Sequence, residues 1–118
     1  MELVVFVGND RENLGQVSAL INRMECEKII LIKDKSAPTL QTNPKCKTLQ
    51  IDSTRPLEEL KEDLKEKLKR ELSGDFEVAL SIASGTGKDH MALISALLSV
   101  PVGIKLVAYT KDGIKFIN

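Results

Sequence analysis

The apolar residues of the chain fall into short dense runs, separated by glycine, proline or polar clusters. The first run, 3–7, is rich in β-branched side chains and stops at Gly8-Asn9-Asp10. A continuous apolar run of this length is typical of a strand buried on both faces of a sheet. The same pattern predicts further strands at 28–32, 47–51, 76–82, 103–109 and 114–117.

Between these runs, apolar residues recur three and four positions apart, which predicts helices. The first helix occupies 14–24 and follows Asp10, whose side chain we expect to cap its start. The second, 57–72, has a single leucine stripe, and its remaining residues are almost all charged. The third occupies 88–99 and is closed by Pro101, which cannot continue a helix.

The alternation of strands and helices predicts an α/β fold, because parallel strands need crossover helices between them. Asp112-Gly113 separates the last two strands, which is a hairpin signal. We therefore expect a Rossmann-like three-layer sandwich with a mostly parallel sheet and a C-terminal β-hairpin at one edge. The first and fourth strands are expected to be central neighbours, and 1–118 to form a single domain.

Residues 33–46 lack periodicity and contain Pro38 and Pro44, so we expect a loop with at most one helical turn. Loops this long inside a small domain are often functional. Four lysines between 33 and 47 face only one acidic residue, Asp34. The segment is either a basic flap that covers an anionic ligand or an ordinary lysine-rich exposed loop.

Composition narrows the range of functions. The chain has 118 residues, 17 basic and 17 acidic, so its formal net charge is zero and general coating or duplex binding of nucleic acid is not expected. Aromatic residues make up only 3 %, which argues against a platform that stacks single-stranded bases.

Cys26 and Cys46 are not part of any CxxC pair, so we expect two reduced thiols, no metal site and no cofactor. The first apolar run is too short for the core of a signal peptide. No stretch approaches the roughly 20 apolar residues of a membrane span. These features predict a cytoplasmic protein without a membrane partner.

Two turns at the carboxyl ends of predicted strands carry the candidate chemistry, because α/β sheets bind ligands at that edge. The turn at 84–90 combines glycines, hydroxyls and a lysine at a helix start, a pattern that favours phosphate. It is not a P-loop, since Ile82 and Asp89 stand where that motif needs glycine and a hydroxyl residue. The alternative is a strand–helix turn that merely needs two glycines. Candidate ligand-binding residues on the two turns are Gly8, Asn9, Asp10, Arg11, Ser84, Gly85, Thr86, Gly87, Lys88 and His90.

Alternatives remain open at three of these places. In the first turn Asn9 and Asn13 would contact a base edge or ribose and Arg11 a phosphate, or the turn is an ordinary helix start. His90 is a ligand contact or acid–base group, or, as we favour, a surface histidine. The small-residue stripe on the third helix either packs on the sheet or mediates self-association; it comprises Ala92, Ser95, Ala96 and Ser99.

The segments 83–92 and 101–104 resemble CARF domains, the CRISPR-associated Rossmann-fold sensors, and the element order is similar along the whole chain. Members of that family carry a glycine- and threonine-rich turn with a basic residue after the fourth strand, and a second site after the first strand. The resemblance implies a homodimer that binds a cyclic oligoadenylate across its two-fold axis. Matching positions here are Asn9, Asp10, Ser84, Gly85, Thr86, Gly87 and Lys88.

The resemblance also implies an enzymatic alternative, since some CARF members cleave their ligand as metal-independent ring nucleases. Lys88 would then stabilise the charge that develops at the phosphorus. The first turn lacks the hydroxyl that cleaving members tend to have, and a glycine separates Thr86 from Lys88 where the family often has adjacent glycines before Thr-Lys. A third alternative is a regulatory or interaction domain without a small ligand.

Overall fold

A computed structural model describes residues 1–100 and 102–118. The strands of this part form one six-stranded sheet in the order β3-β2-β1-β4-β5-β6. The α-helices and strands are β1 (Glu2–Val7), α1 (Leu14–Arg23), β2 (Ile29–Asp34), β3 (Cys46–Ile51), α2 (Leu57–Glu71), β4 (Glu77–Ser81), α3 (Gly87–Ser99), β5 (Gly103–Thr110) and β6 (Gly113–Phe116). The predicted role of Pro101 in closing α3 lies outside the described residues.

The predicted fold class is confirmed. The first five strands pair in parallel, β1 lies between β2 and β4, and β6 pairs antiparallel with β5 at one edge of the sheet. Two apolar clusters fill the space on the two faces of the sheet, with α1 in one and α2 and α3 in the other. All six residues of β1 are buried, as expected for a strand covered on both faces.

The lysine-rich segment does not form one flap. Strand β2 extends to Asp34 and β3 begins at Cys46, so the connection is 35–45 and contains no helical turn among its described residues. Lys33 lies at the carboxyl end of β2, whereas Lys45 and Lys47 lie at the opposite edge of the sheet, where β3 begins. Of the two alternatives, the basic flap with four lysines over one anionic ligand is therefore wrong.

Of the small residues in the stripe on α3, two pack within the domain as one alternative predicts, and two lie nearer the surface, where self-association would need them. Ala92 and Ala96 are fully buried in the core against α2 and the sheet. Ser95 is half-buried and Ser99 is exposed. These small residues mainly allow α3 to pack closely within the domain.

Candidate functional site

The two turns predicted as sites lie side by side. Strands β1 and β4 are parallel neighbours, so their carboxyl ends reach the same edge of the sheet. The N–H of Gly8, after β1, donates to the Ser84 hydroxyl, after β4, at 2.9 Å. Ser84 is fully buried, and this buried bond holds the turns in fixed register.

Asp10 does not cap α1, contrary to the prediction. It precedes the 3-10 turn Arg11–Asn13, and its side chain makes no capping hydrogen bond. Instead one carboxylate oxygen accepts from the Ser84 hydroxyl at 2.7 Å and from the N–H of Gly85 at 2.9 Å. The other oxygen accepts from the Asn13 amide at 2.6 Å. The Asp10 side chain, which the local sequence predicts to cap a helix, is thus hydrogen-bonded to Ser84 and Gly85 of the neighbouring turn instead.

Burial of the Asp10 carboxyl raises its pKa, but the hydrogen bonds from Asn13, Ser84 and Gly85 outweigh that effect. The net result is a pKa below the ordinary value of 3.8. Asp10 is therefore ionised at neutral pH and accepts all three hydrogen bonds as a carboxylate.

The close approach of the turns requires glycine on both sides. A Cβ on Gly8 would lie 2.8 Å from the Gly85 Cα, which is backbone and cannot move aside alone. Gly85 has φ +105°, and a Cβ there would lie 2.6 Å from a ring carbon of Phe6. The glycines are thus structural requirements of the site as well as openings for a ligand.

Helix α3 begins at this edge with a reciprocal cap. The Thr86 hydroxyl accepts from the N–H of Asp89 at 3.2 Å, and the Asp89 carboxylate accepts from the N–H of Thr86 at 3.0 Å. The preceding N–H groups of the first turn, on Gly87 and Lys88, have no carbonyl one turn back within the helix. They remain as donors for a ligand at the positive end of the helix dipole.

A cavity of about 360 Å³ opens between the turns and the connection that follows β3. Lys88 crosses its rim, where the ammonium donates to the Ser53 carbonyl at 2.9 Å. The cavity is lined by Gly8, Asn9, Asp10, Asp34, Ser53, Gly85, Thr86, Lys88 and Asp89. It brings together six of the predicted residues: Gly8, Asn9, Asp10, Gly85, Thr86 and Lys88.

Asp34 also lines the cavity, and the sequence analysis did not predict it as a site residue. Its carboxylate accepts from the N–H of Ser53 at 2.8 Å and from the N–H of Ser36 at 3.1 Å, and also from the Ser36 hydroxyl. Asn9 donates to the same hydroxyl at 3.0 Å. Burial raises the pKa of Asp34, but the bonds from Ser36 and Ser53 lower it overall. The available signal was an acidic residue at the end of a buried strand beside the glycine turn.

The remaining predicted residues lie outside the cavity lining. Arg11 is exposed in the 3-10 turn, and Gly87 is exposed at the start of α3. Ser84 lies behind the turn as an internal hydrogen-bond partner. His90 is half-buried, with its Nε2 2.7 Å from the Ser84 carbonyl and its ring edge-on to Phe6, so it supports the turn from within.

The charges of the lining are mixed. Asp10, Asp34 and Asp89 are three carboxylates facing one cation, Lys88. These carboxylates accept hydrogen bonds from protein N–H and hydroxyl groups, but the buried Asp89 Oδ1 has no partner within the described residues. The start of α3 and Lys88 form the positive part of the rim. Within 1–100 and 102–118, no group of three acidic, histidine or cysteine side chains is arranged to hold a metal ion. The arrangement suits a ligand with both anionic groups and hydrogen-bond donors, such as a nucleotide.

No protein-family model and no curated protein sequence matches the chain. Among solved structures, it is similar to Can2 from Sulfobacillus thermosulfidooxidans in complex with cyclic tetra-adenylate, with a TM-score of 0.62 and 11 % sequence identity. The match covers 99 % of this chain and 35 % of Can2. The likeness shows a shared fold. No helix in the described residues is long and apolar enough to cross a membrane.

Proposed function

We propose that this chain is a CARF-like domain that binds a cyclic oligoadenylate as a homodimer, in CRISPR-linked antiviral signalling in the cytoplasm. The observation that carries the proposal is the pair of turns fastened together by Asp10 and Ser84 beside the start of α3. Two sequence segments separated by more than 70 residues form one polar cavity at the ligand-binding edge of the fold. The fold likeness to Can2, which was solved with cyclic tetra-adenylate, supports the same ligand class.

Different parts of a nucleotide contact different residues of the cavity lining and of the adjoining first turn of α3, where Gly87 lies just outside the lining. Phosphate oxygens accept from the free N–H groups of Gly87 and Lys88 and from the Lys88 ammonium, which leaves the Ser53 carbonyl to reach them. Asn9 also lines the cavity, and its amide, which donates one hydrogen bond to Ser36, has a second N–H for a ribose or a base edge. No aromatic side chain is among the residues that line the cavity, so adenine is recognised by polar edges and not by stacking.

The dimer is supported by the solvent face of α3. Met91 is 61 % exposed and Leu98 is 64 % exposed, and Ser95 lies between them on the same side of the helix. No charged residue occurs from 91 to 100, in contrast to α2, whose exposed positions are almost all charged. An uncharged outer face on a surface helix is typical of a contact surface. A second copy packed on it would double the site at the two-fold axis.

Two hydroxyls at the turns favour binding over cleavage. The Ser84 hydroxyl is buried between Gly8 and Asp10, and the Thr86 hydroxyl accepts the capping N–H of Asp89. Neither is free to orient a ribose 2′-hydroxyl towards its phosphorus. We therefore assign the chain a binding role, in which Lys88 compensates ligand charge.

Titration calorimetry with cyclic tetra-adenylate and cyclic hexa-adenylate tests the proposal. We expect saturable binding of at least one ring, with one ring per two chains. Lys88→Met should weaken it roughly ten- to hundredfold, because a charge-assisted hydrogen bond is lost. The matched control is Lys69→Met, which changes an exposed lysine in the last turn of α2, at the other end of the sheet. This variant should bind the ring with the affinity of the wild-type protein.

Absence of heat for both rings, with the protein shown to be folded and dimeric, would exclude the ligand class and favour an interaction domain. Chromatography of the ring after long incubation with the protein provides the second readout. We expect an intact ring, and its cleavage by the original protein but not by Lys88→Met would restore the ring-nuclease alternative.

A further inference from the structure

A second, smaller cavity lies on the other face of the sheet, beneath the connection 35–45. Its volume is about 170 Å³, the space of about five or six waters at ~30 Å³ each. Val7 and Lys33 are register partners on β1 and β2 and line this cavity, while the next residues, Gly8 and Asp34, line the first one. Because successive side chains of a strand point to opposite faces, the same strand ends supply both cavities.

The roof of this second cavity is anchored at both ends. Ser36 is bonded to Asp34 at the start of the connection, and the next residue, Ala37, is buried in the core on the α1 side. Near the end of the connection, the Asn43 amide donates to the Ile21 carbonyl of α1 at 3.2 Å. The segment is therefore packed onto the sheet, and the space below it is a formed cavity.

Lys33 is the charged residue of this cavity. It is half-buried and has no hydrogen bond or ion pair within the described part of the chain. The lysines that flank β2 are paired: Lys28, before the strand, with Glu71, and Lys35, after it, with Asp52, each at 3.2 Å. A partly desolvated ammonium without a counter-charge is stabilised when an anion binds beside it. Thr39, Thr42 and Thr48 line the same space, and threonine hydroxyls are suitable donors to the oxygens of an anion.

We propose that the second cavity binds a short aliphatic monocarboxylate. Its carboxylate contacts the Lys33 ammonium and the threonine hydroxyls, and its alkyl chain packs on Val7, Leu31 and Leu40, which form the apolar wall. One cation balances one negative charge, whereas a phosphate dianion would keep an uncompensated charge in a partly buried space. This site is separate from the proposed nucleotide site and does not depend on it.

Nuclear magnetic resonance titration of the ¹⁵N-labelled protein with butyrate tests this assignment. We expect saturable amide shifts confined to β2 near Lys33, to 39–42 and to Thr48. Butyramide has the same alkyl chain without the charge, and its affinity should be at least roughly tenfold lower than that of butyrate. Lys33→Met should reduce butyrate affinity by a similar factor. Lys47→Met, at an exposed lysine whose side chain points to the face of β3 opposite to that of its neighbour Thr48, should leave it unchanged.

Several outcomes would overturn the assignment. They are shifts that stay linear and unsaturated, equal affinity for butyrate and butyramide, equal loss in Lys33→Met and Lys47→Met, or tighter saturable binding of inorganic phosphate in the same cavity. Thr48→Val provides a second variant that does not depend on the lysine and should also weaken butyrate. None of these results depends on whether the protein binds a cyclic oligoadenylate.

Discussion

At the scale of single residues, Asp10 joins segments that are distant in sequence. Its position three residues before Asn13 and just ahead of an apolar helix pattern favours a cap, and local sequence holds no sign of Ser84. In the structure one of its carboxylate oxygens instead accepts hydrogen bonds from the hydroxyl of Ser84 and the N–H of Gly85. A single carboxylate therefore replaces a local bond by a long-range one and fixes the geometry of the cavity.

Replacing Asp10 by alanine should lower the free energy of unfolding by about 1–3 kcal/mol, because the buried Ser84 hydroxyl and the partly buried N–H of Gly85 lose their acceptor. Denaturant unfolding followed by circular dichroism measures the change. Asp75→Ala, at an exposed position between α2 and β4, is the control and should shift stability by about 0.5 kcal/mol or less. Equal effects of the two substitutions would contradict the role assigned to Asp10.

Acid should destabilise the protein through the same carboxylates. Asp10 and Asp34 have pKa values below 3.8 in the folded state, and hydrogen bonds from Thr54 lower the pKa of Asp52 to about 2. A folded-state pKa below the unfolded one contributes stability that is present above the unfolded value and is lost as the pH falls through the folded one. We expect a decline from about pH 4 towards pH 2, and a shallower decline in Asp10→Ala. A decline of the same steepness in that variant would exclude Asp10 as a contributor.

At the scale of elements, two glycine substitutions should act in opposite directions. Gly8→Ala places a Cβ 2.8 Å from the Gly85 backbone and should cost about 1–3 kcal/mol through overpacking. Gly15→Ala, in the exposed first turn of α1 with no atom near the new Cβ, should stabilise by up to about 1 kcal/mol. Thermal unfolding of both variants checks the prediction, and a loss of stability in Gly15→Ala would contradict it.

The spacing of apolar residues, together with glycine and proline signals, was sufficient to predict the helices and strands. The buried runs became strands β1 to β6, and the helical stripes became α1 to α3, because burial on one or two faces dictates those patterns. Element ends were less well predicted. The fourth strand begins at Glu77 and not at Phe76, which is 93 % exposed, and the last ends at Phe116. An exposed apolar side chain such as that of Phe76 therefore extends the predicted strand beyond the end that the structure shows.

The candidate site was only partly predictable for a different reason. Glycine turns at strand ends are visible in sequence, so both turns were predicted. Asp34 and Ser53 became cavity residues because β2 and the segment after β3 lie beside the two turns, and that placement depends on the strand order of the sheet. Asp89 lies within the predicted turn 84–90 but was not predicted as a ligand-binding residue. Arg11 and His90 have suitable chemistry, but the 3-10 turn and the packing against Phe6 place them outside the cavity lining.

At the scale of the whole molecule, the proposed dimer depends on the outer face of α3. Met91→Glu or Leu98→Glu should convert the dimer to a monomer, because a buried unpaired charge costs several kcal/mol at an interface. Sedimentation velocity measures the change. Phe76→Glu, at an even more exposed apolar position that precedes β4 and is not part of α3, is the control and should stay dimeric. Dissociation in the control alone would place the interface elsewhere.

The most direct test of the account is a titration of ¹⁵N-labelled protein with cyclic tetra-adenylate, followed by nuclear magnetic resonance. The proposed site predicts that the largest amide shifts occur at Gly8, Asn9 and 85–88, and that they saturate at one ring per two chains. A titration in which these amides do not move with the ring in excess, or in which the shifts are confined to other surfaces, would contradict it.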